Sequence, residues 1–135
     1  MKEIVTFLAF DGNCREAMEF YKKCFAASLF LLPFSEAPGD FPKEAQGRIM
    51  HATLSEGSTT LLMASDTLPG TPFQQGNFAV FIQCESLQEI ERLFTALGEK
   101  GTVTMTLQDT FWGARFGTLT DRFGIRWMFQ FARAK

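Results

Sequence analysis

A β-α-β-β-β order of structural signals runs through this 135-residue chain twice, and that repetition limits the folds open to it. Residues 4–10 (IVTFLAF) are β-branched and aromatic, as strands tend to be. Asp11-Gly12-Asn13 signals a turn, and Asn13 with Glu16 three residues later has the form of a capping box. The helix predicted next gathers Ala17, Phe20, Tyr21, Cys24 and Phe25 on one face and Arg15, Glu19, Lys22 and Lys23 on the other. Strands are predicted at 28–34, 48–55 and 59–65, the last two joined by the hairpin turn Glu56-Gly57-Ser58. Residues 35–46, with Pro38, Gly39 and Pro42, form a loop, and residues 66–76 form a connector. The order then restarts. A strand covers 77–84, and a helix opens at Ser86 with Glu89 three residues on. It carries Leu87, Ile90, Leu93, Phe94 and Leu97 on one face, with Gly98 and Gly101 to stop it. Strands follow at 102–107, 114–120 and 125–131. The two caps, Asn13 and Ser86, lie 73 residues apart.

The class is therefore α+β: two tandem βαβββ modules, about 1–66 and about 77–135, in one domain spanning 1–135. The expected form is a cupped mixed β-sheet with both helices on its outer face. Four strands with one helix leave the other sheet face bare, and two such faces can enclose a cleft. Small-molecule sites favour concave, mostly apolar places of that kind. The composition agrees: 16 Phe stand against two Trp and one Tyr, and phenylalanine has no polar group, so it suits a dry core or an apolar cavity wall.

Charge and cysteine usage narrow the partners. The net charge of −2 offers no basic excess for a phosphate backbone, which argues against nucleic acid. No apolar run approaches the roughly 20 residues of a membrane span. Three cysteines, Cys14, Cys24 and Cys84, form no CxxC and read as reduced thiols, and the N-terminus lacks a signal-peptide profile; the expected location is cytoplasmic. Cys14 falls in the first turn of the first helix, where the helix dipole can lower a thiol pKa, although a small buried side chain is the simpler reading.

Parity within the strands selects the candidate site. Met50, Ala52 and Leu54 make an apolar row expected under the helix, so His51 and Thr53 face the open side. His51, the one histidine, can be a structural hydrogen-bonded ring, a substrate contact or acid–base group, or a metal ligand. A metal site wants three or four N, O or S donors, and His51 has no evident companions. The segment Phe111-Trp112-Gly113-Ala114-Arg115-Phe116-Gly117 is the most distinctive in the chain. Arg115 could bind a ligand carboxylate or phosphate, or could be an ion pair with Asp109 or Asp121. Trp112 could be a cavity wall or a core plug, whereas Ile125, Trp127 and Phe129 share a strand face and read as core. No P-loop and no GxGxxG supports a nucleotide cofactor.

With these residues in view, the chain resembles the vicinal oxygen chelate superfamily, which includes glyoxalase I, bleomycin-resistance proteins and extradiol dioxygenases, and more narrowly its PhnB-like branch. The resemblance rests on residues 7–21 (FLAFDGNCREAMEFY), 49–52 (IMHA), Ser65-Asp66, 112–117 (WGARFG), 120–124 (TDRFG) and Arg126-Trp127. It implies paired βαβββ modules and commonly a homodimer. In metal-dependent relatives four strands supply one ligand each, and by that analogy the positions fall near Thr6 or Phe7, at or next to His51, near Asn77 or Phe78, and near Trp127 or Met128. Only His51 is a good ligand among them. Some members of the branch carry a demethylubiquinone methyltransferase label, but no glycine-rich loop after a strand is present here to hold a methyl-donor nucleoside.

The function expected is that of a glyoxalase- or bleomycin-resistance-like protein without a full metal site. It would bind a small hydrophobic or aromatic molecule in an apolar cleft, with His51, Arg115, Trp112 and Phe7 as contacts. His51 is the candidate catalytic residue if there is one. No cofactor is expected, a divalent metal being the open alternative. A lyase, isomerase or dioxygenase using His51, and a regulatory or structural dimer without ligand, are the competing readings. The expected partners are a small molecule and a second copy of the chain, with neither nucleic acid nor membrane.

Overall fold

The computed structural model describes residues 1–72 and 76–133, so residues 73–75 of the expected connector lie outside the described residues. The chain divides into two compact units, Met1–Gln74 and Gln75–Lys135. The first holds β1 (Phe7–Phe10), α1 (Cys14–Phe25), β2 (Ser28–Pro33), β3 (Ile49–Glu56) and β4 (Thr59–Asp66). The second holds β5 (Val80–Gln83), α2 (Leu87–Gly98), β6 (Thr102–Asp109), β7 (Ala114–Thr120) and β8 (Arg126–Ala132). Each unit is thus a βαβββ module with one four-stranded sheet, ordered β1-β4-β3-β2 and β5-β8-β7-β6. Both sheets are mixed. The β1–β4 and β5–β8 pairs are parallel, and all others are antiparallel.

Alternation decides what each sheet buries. In the first unit Leu8, Phe10, Ala52, Leu54, Leu62 and Ala64 are buried, together with Cys14, Ala17, Met18, Tyr21 and Cys24 of α1. These side chains form one core between α1 and strands β2, β3 and β4. In the second unit Trp127, Phe129 and Leu119 meet Ile90, Leu93 and Leu97 of α2 in the same way. A Cβ on Gly117 would lie 2.8 Å from Phe94 of α2, which fixes the helix-side face of β7. No helix among the described residues is long and apolar enough to cross a membrane.

Four expectations change at this level. β1 starts at Phe7 rather than residue 4, and Ile4 is 87% exposed. β5 starts at Val80 rather than residue 77, and the Phe78 carbonyl before it accepts from the Arg126 guanidinium at 2.8 Å. Met50 is exposed and Ile49 fully buried, reversing the parity expected at the start of β3. The cause is a bulge: Leu32 pairs with His51 but Pro33 with Ile49, so one residue of β3 is skipped. Finally, Asn13 makes no side-chain cap to α1, whereas Ser86 caps α2 by accepting the Glu89 amide at 3.0 Å.

The first helix is closed by a residue distant in sequence. Asp66, buried at the end of β4, accepts Gly12 N (2.8 Å) and Cys14 N (3.0 Å) on Oδ1 and Ile49 N (2.8 Å) on Oδ2. One carboxylate therefore ties α1, β3 and β4 together and satisfies orphan donors at a helix start.

Candidate functional site

Each sheet has a face turned away from its helix, and the polar and aromatic groups left there define the candidate site. On the first sheet, β3 places His51 and Thr53 on this face, and the ring Nε2 shares a hydrogen bond of 2.9 Å with Thr53 Oγ1. Phe7 of β1 stands beside His51, with ring centroids 6.3 Å apart. Phe30, paired across from Thr53, and Met63, paired with both Phe7 and Thr53, complete the surface. Phe7 is 50% exposed and Phe30 57%. His51 is thus a half-buried ring held by a hydroxyl in an apolar surround.

On the second sheet, the opposite face from Trp127 and Phe129 carries Phe116 and Thr118 of β7, Met128 and Gln130 of β8, and Phe81 and Gln83 of β5. Trp112, from the β6–β7 loop, folds onto this face. Its ring lies edge-on to Phe116 at 5.9 Å, and its indole N–H donates to Gln130 Oε1 at 3.0 Å. Gln130 Nε2 in turn donates to Gln83 Oε1 at 3.3 Å. Trp112 is 51% exposed, which excludes the core-plug reading. Neither glutamine stands out in the sequence as a site residue. Their alternation with Phe81 and Met128 was the signal, but pairing them requires the β5–β8 register.

Arg115 stands elsewhere. It shares the helix-side face of β7 with Gly117 and Leu119, and its guanidinium lies 3.5 Å from Asp109 and 3.9 Å from Glu91 of α2. The ion-pair reading with Asp109 is therefore the one the geometry gives, and Arg115 does not join Trp112 on the open face. The physical reason is parity: Gly117 and Leu119, two and four residues on, pack against α2 and carry Arg115 with them. Asp109 also receives Arg133 at 2.7 Å, and this hydrogen bond, more than Arg115, holds its carboxyl below the usual value.

The cysteines are buried rather than activated. Burial, and then the nearby Asp66 carboxylate, push the Cys14 thiol up to about 12, overriding any lowering by the helix dipole. Burial likewise raises Cys84 to about 11. Among the described residues no group of three or more His, Cys, Asp or Glu side chains is placed to hold a metal ion.

Comparison with known proteins agrees with this architecture. A protein from Pseudomonas aeruginosa, PA1353, is 42% identical, with a TM-score of 0.90 over 99% of this chain and 100% of that one. The PhnB protein of Bacillus cereus is 27% identical, with a TM-score of 0.78 over 97% and 100%. A glyoxalase/bleomycin resistance protein/dioxygenase domain from Frankia shares the fold alone, at 11% identity and a TM-score of 0.69 over 98% and 93%. The paired modules are those of the vicinal oxygen chelate fold. Within it, the chain belongs to the PhnB-like family described as 3-demethylubiquinone-9 3-methyltransferase, whose model it matches over residues 2–130.

Proposed function

We propose that the protein captures a small hydrophobic or aromatic molecule on the helix-free faces of its sheets, by binding rather than by metal-assisted chemistry. One observation carries the reading. Phe7, Phe30, Phe81 and Trp112 are each about half exposed on those faces, whereas the rings on the helix-side face of β8, Trp127 and Phe129, are buried. Exposed rings clustered beside a few fixed polar groups are what a binding surface for an apolar ligand needs. His51, held by Thr53, supplies a polar contact on the first sheet, and the Trp112 indole lines the second.

The metal of the wider superfamily does not suit these residues. The positions corresponding to its ligands offer one imidazole, the phenyl rings of Phe7 and Phe78 or their neighbours Thr6 and Asn77, and the Met128 thioether or Trp127. A divalent cation of that chemistry wants three or four nitrogen, thiolate or carboxylate donors. The methyl transfer named in the family description finds no glycine-rich strand-to-helix turn in either mixed sheet. A homodimer, which would carry each face twice, is part of the same proposal.

Thermal unfolding in the presence of aromatic compounds tests the reading, because a ligand that binds the native state raises the midpoint as its concentration rises. Naphthalene derivatives are expected to raise it, with a smaller rise in Trp112→Ala and Phe30→Ser. Zinc, nickel or manganese is expected to add nothing to that rise. No shift with any aromatic compound overturns the proposal, and a shift that requires metal and is lost in His51→Ala replaces it with the metal-dependent alternative.

A further inference from the structure

The hydrogen-bond chain on the second sheet has a direction, and the direction restricts what can bind there. An indole N–H can only donate, so the Gln130 atom that meets Trp112 at 3.0 Å is its oxygen. The Gln130 amide nitrogen must then point the other way, toward Gln83, where it meets Oε1 at 3.3 Å. That in turn fixes the Gln83 amide with its NH2 group at the end of the chain. Trp112 thus sets the orientation of two amides, and the end presented outward is a donor.

The surroundings match one kind of acceptor. Phe81, Met128 and Phe116 lie on the same face beside the two glutamines, offering flat apolar surface. The other side-chain polar pair described there, Thr104 and Thr118, is bonded to itself at 2.6 Å. Two guanidiniums of this unit are already engaged. Arg115 lies on the helix side with Asp109 and Glu91, and Arg126, two residues before Met128 on the open face of β8, donates to the carbonyls of Phe78 and Gly76. A carboxylate placed against this face would lose hydration beside a guanidinium already donating to two main-chain carbonyls, whereas a neutral carbonyl oxygen asks only for an N–H donor.

We propose that the Trp112–Gln130–Gln83 chain makes this face selective for aromatic molecules bearing a neutral carbonyl oxygen conjugated to the ring. The ring lies over Phe81 and Met128, and the oxygen accepts from Gln83 Nε2. The proposal rests on the binding function above and adds the ligand class and the residue that reads it.

The test compares 2-acetylnaphthalene with 2-isopropenylnaphthalene, which have the same shape but only one of which has an acceptor oxygen. Affinities are measured by calorimetric titration of the full chain. The ketone is expected to bind about fivefold more tightly, the discrimination typical of one neutral hydrogen bond. Gln83→Met, at an exposed position, is expected to bind both compounds equally. Gln83→Glu, which ends the chain in an acceptor, is expected to bind the ketone more weakly than the alkene. Equal affinities in the unaltered protein, or a preference that survives Gln83→Met, overturn the selectivity and leave the binding function standing. Failure of both compounds to bind overturns the selectivity, and no response to any aromatic compound overturns the binding function as well.

Discussion

The backbone amide of Cys14, at the start of α1, donates to the carboxylate of Asp66 at 3.0 Å across 52 residues of sequence. The same side chain accepts from Gly12 and Ile49, so three main-chain donors depend on it. Asp66→Ala would leave them without their acceptor, two of these bonds being fully buried. A loss of about 3–5 kcal/mol is expected in urea unfolding, from a cost of roughly 1–3 kcal/mol per unsatisfied group with partial relaxation. Asn13→Ala, although it removes the residue that the sequence marks as the cap, is expected to change stability by less than about 0.5 kcal/mol, because Asn13 makes no side-chain cap.

The raised thiol values give stability an alkaline limit. Below pH 9 Cys14 keeps its proton in both folded and unfolded chains, and the group has no effect. Between pH 9 and about 12 the unfolded chain releases that proton and the folded chain does not, so stability falls as pH rises through this window. Cys84 adds a narrower window, from 9 to about 11. Cys14→Ser removes the larger of these two contributions, so its unfolding free energy is expected to decline less steeply above pH 9. Iodoacetamide at pH 8 is expected to label Cys14 and Cys84 only after unfolding, as mass spectrometry of the peptides will show.

Two glycines beside Arg115 should respond differently to the same change. A Cβ at Gly117 would lie 2.8 Å from both Leu107 and Phe94, inside a packed layer. Gly117→Ala is expected to cost about 1–3 kcal/mol through overpacking. Gly113 has open space around it but a φ of +83°, so Gly113→Ala is expected to cost about 1 kcal/mol through backbone strain alone. Chemical denaturation with an unchanged slope for both variants checks this ordering.

Arg115 provides a control for the ligand face. Because it is engaged with Asp109 and Glu91 on the helix side, Arg115→Met is expected to leave the binding of aromatic ligands within about twofold, whereas Trp112→Ala weakens it about tenfold. The Asp109 carboxyl is held low chiefly by Arg133. Its contribution to stability is present above the usual carboxylate range and fades as pH falls through the lowered value. Arg133→Met is therefore expected to alter the acid limb of the stability profile more than Arg115→Met does.

Much of the architecture is visible in residue order because it follows from local periodicity. The helices at Cys14–Phe25 and Leu87–Gly98 carry apolar residues every three or four positions, and β7 alternates from Gly117 to Thr120. The site was legible only where parity held. His51 lies on the open face as its alternation with Ala52 and Leu54 requires, even though the bulge opposite Pro33 turns Met50 outward. Arg115 shows the converse. Leu119 and Gly117 share its parity and mark the helix side, and that parity, not the aromatic neighbours in sequence, decides where Arg115 lies.

The sequence by itself determined the two βαβββ modules, the helix faces and the abundance of phenylalanine, since each depends on spacing along the chain. Tertiary structure alone decided that Asp66 would close α1, that Arg115 would be taken by Asp109 and Glu91, and that Trp112 would orient Gln130 and Gln83. Those relationships join groups as far apart as 54 residues in the case of Asp66 and Gly12. Hydrogen bonds and ion pairs need atoms within about 3–4 Å. Only the strand register and the packing of helix on sheet bring such groups that close.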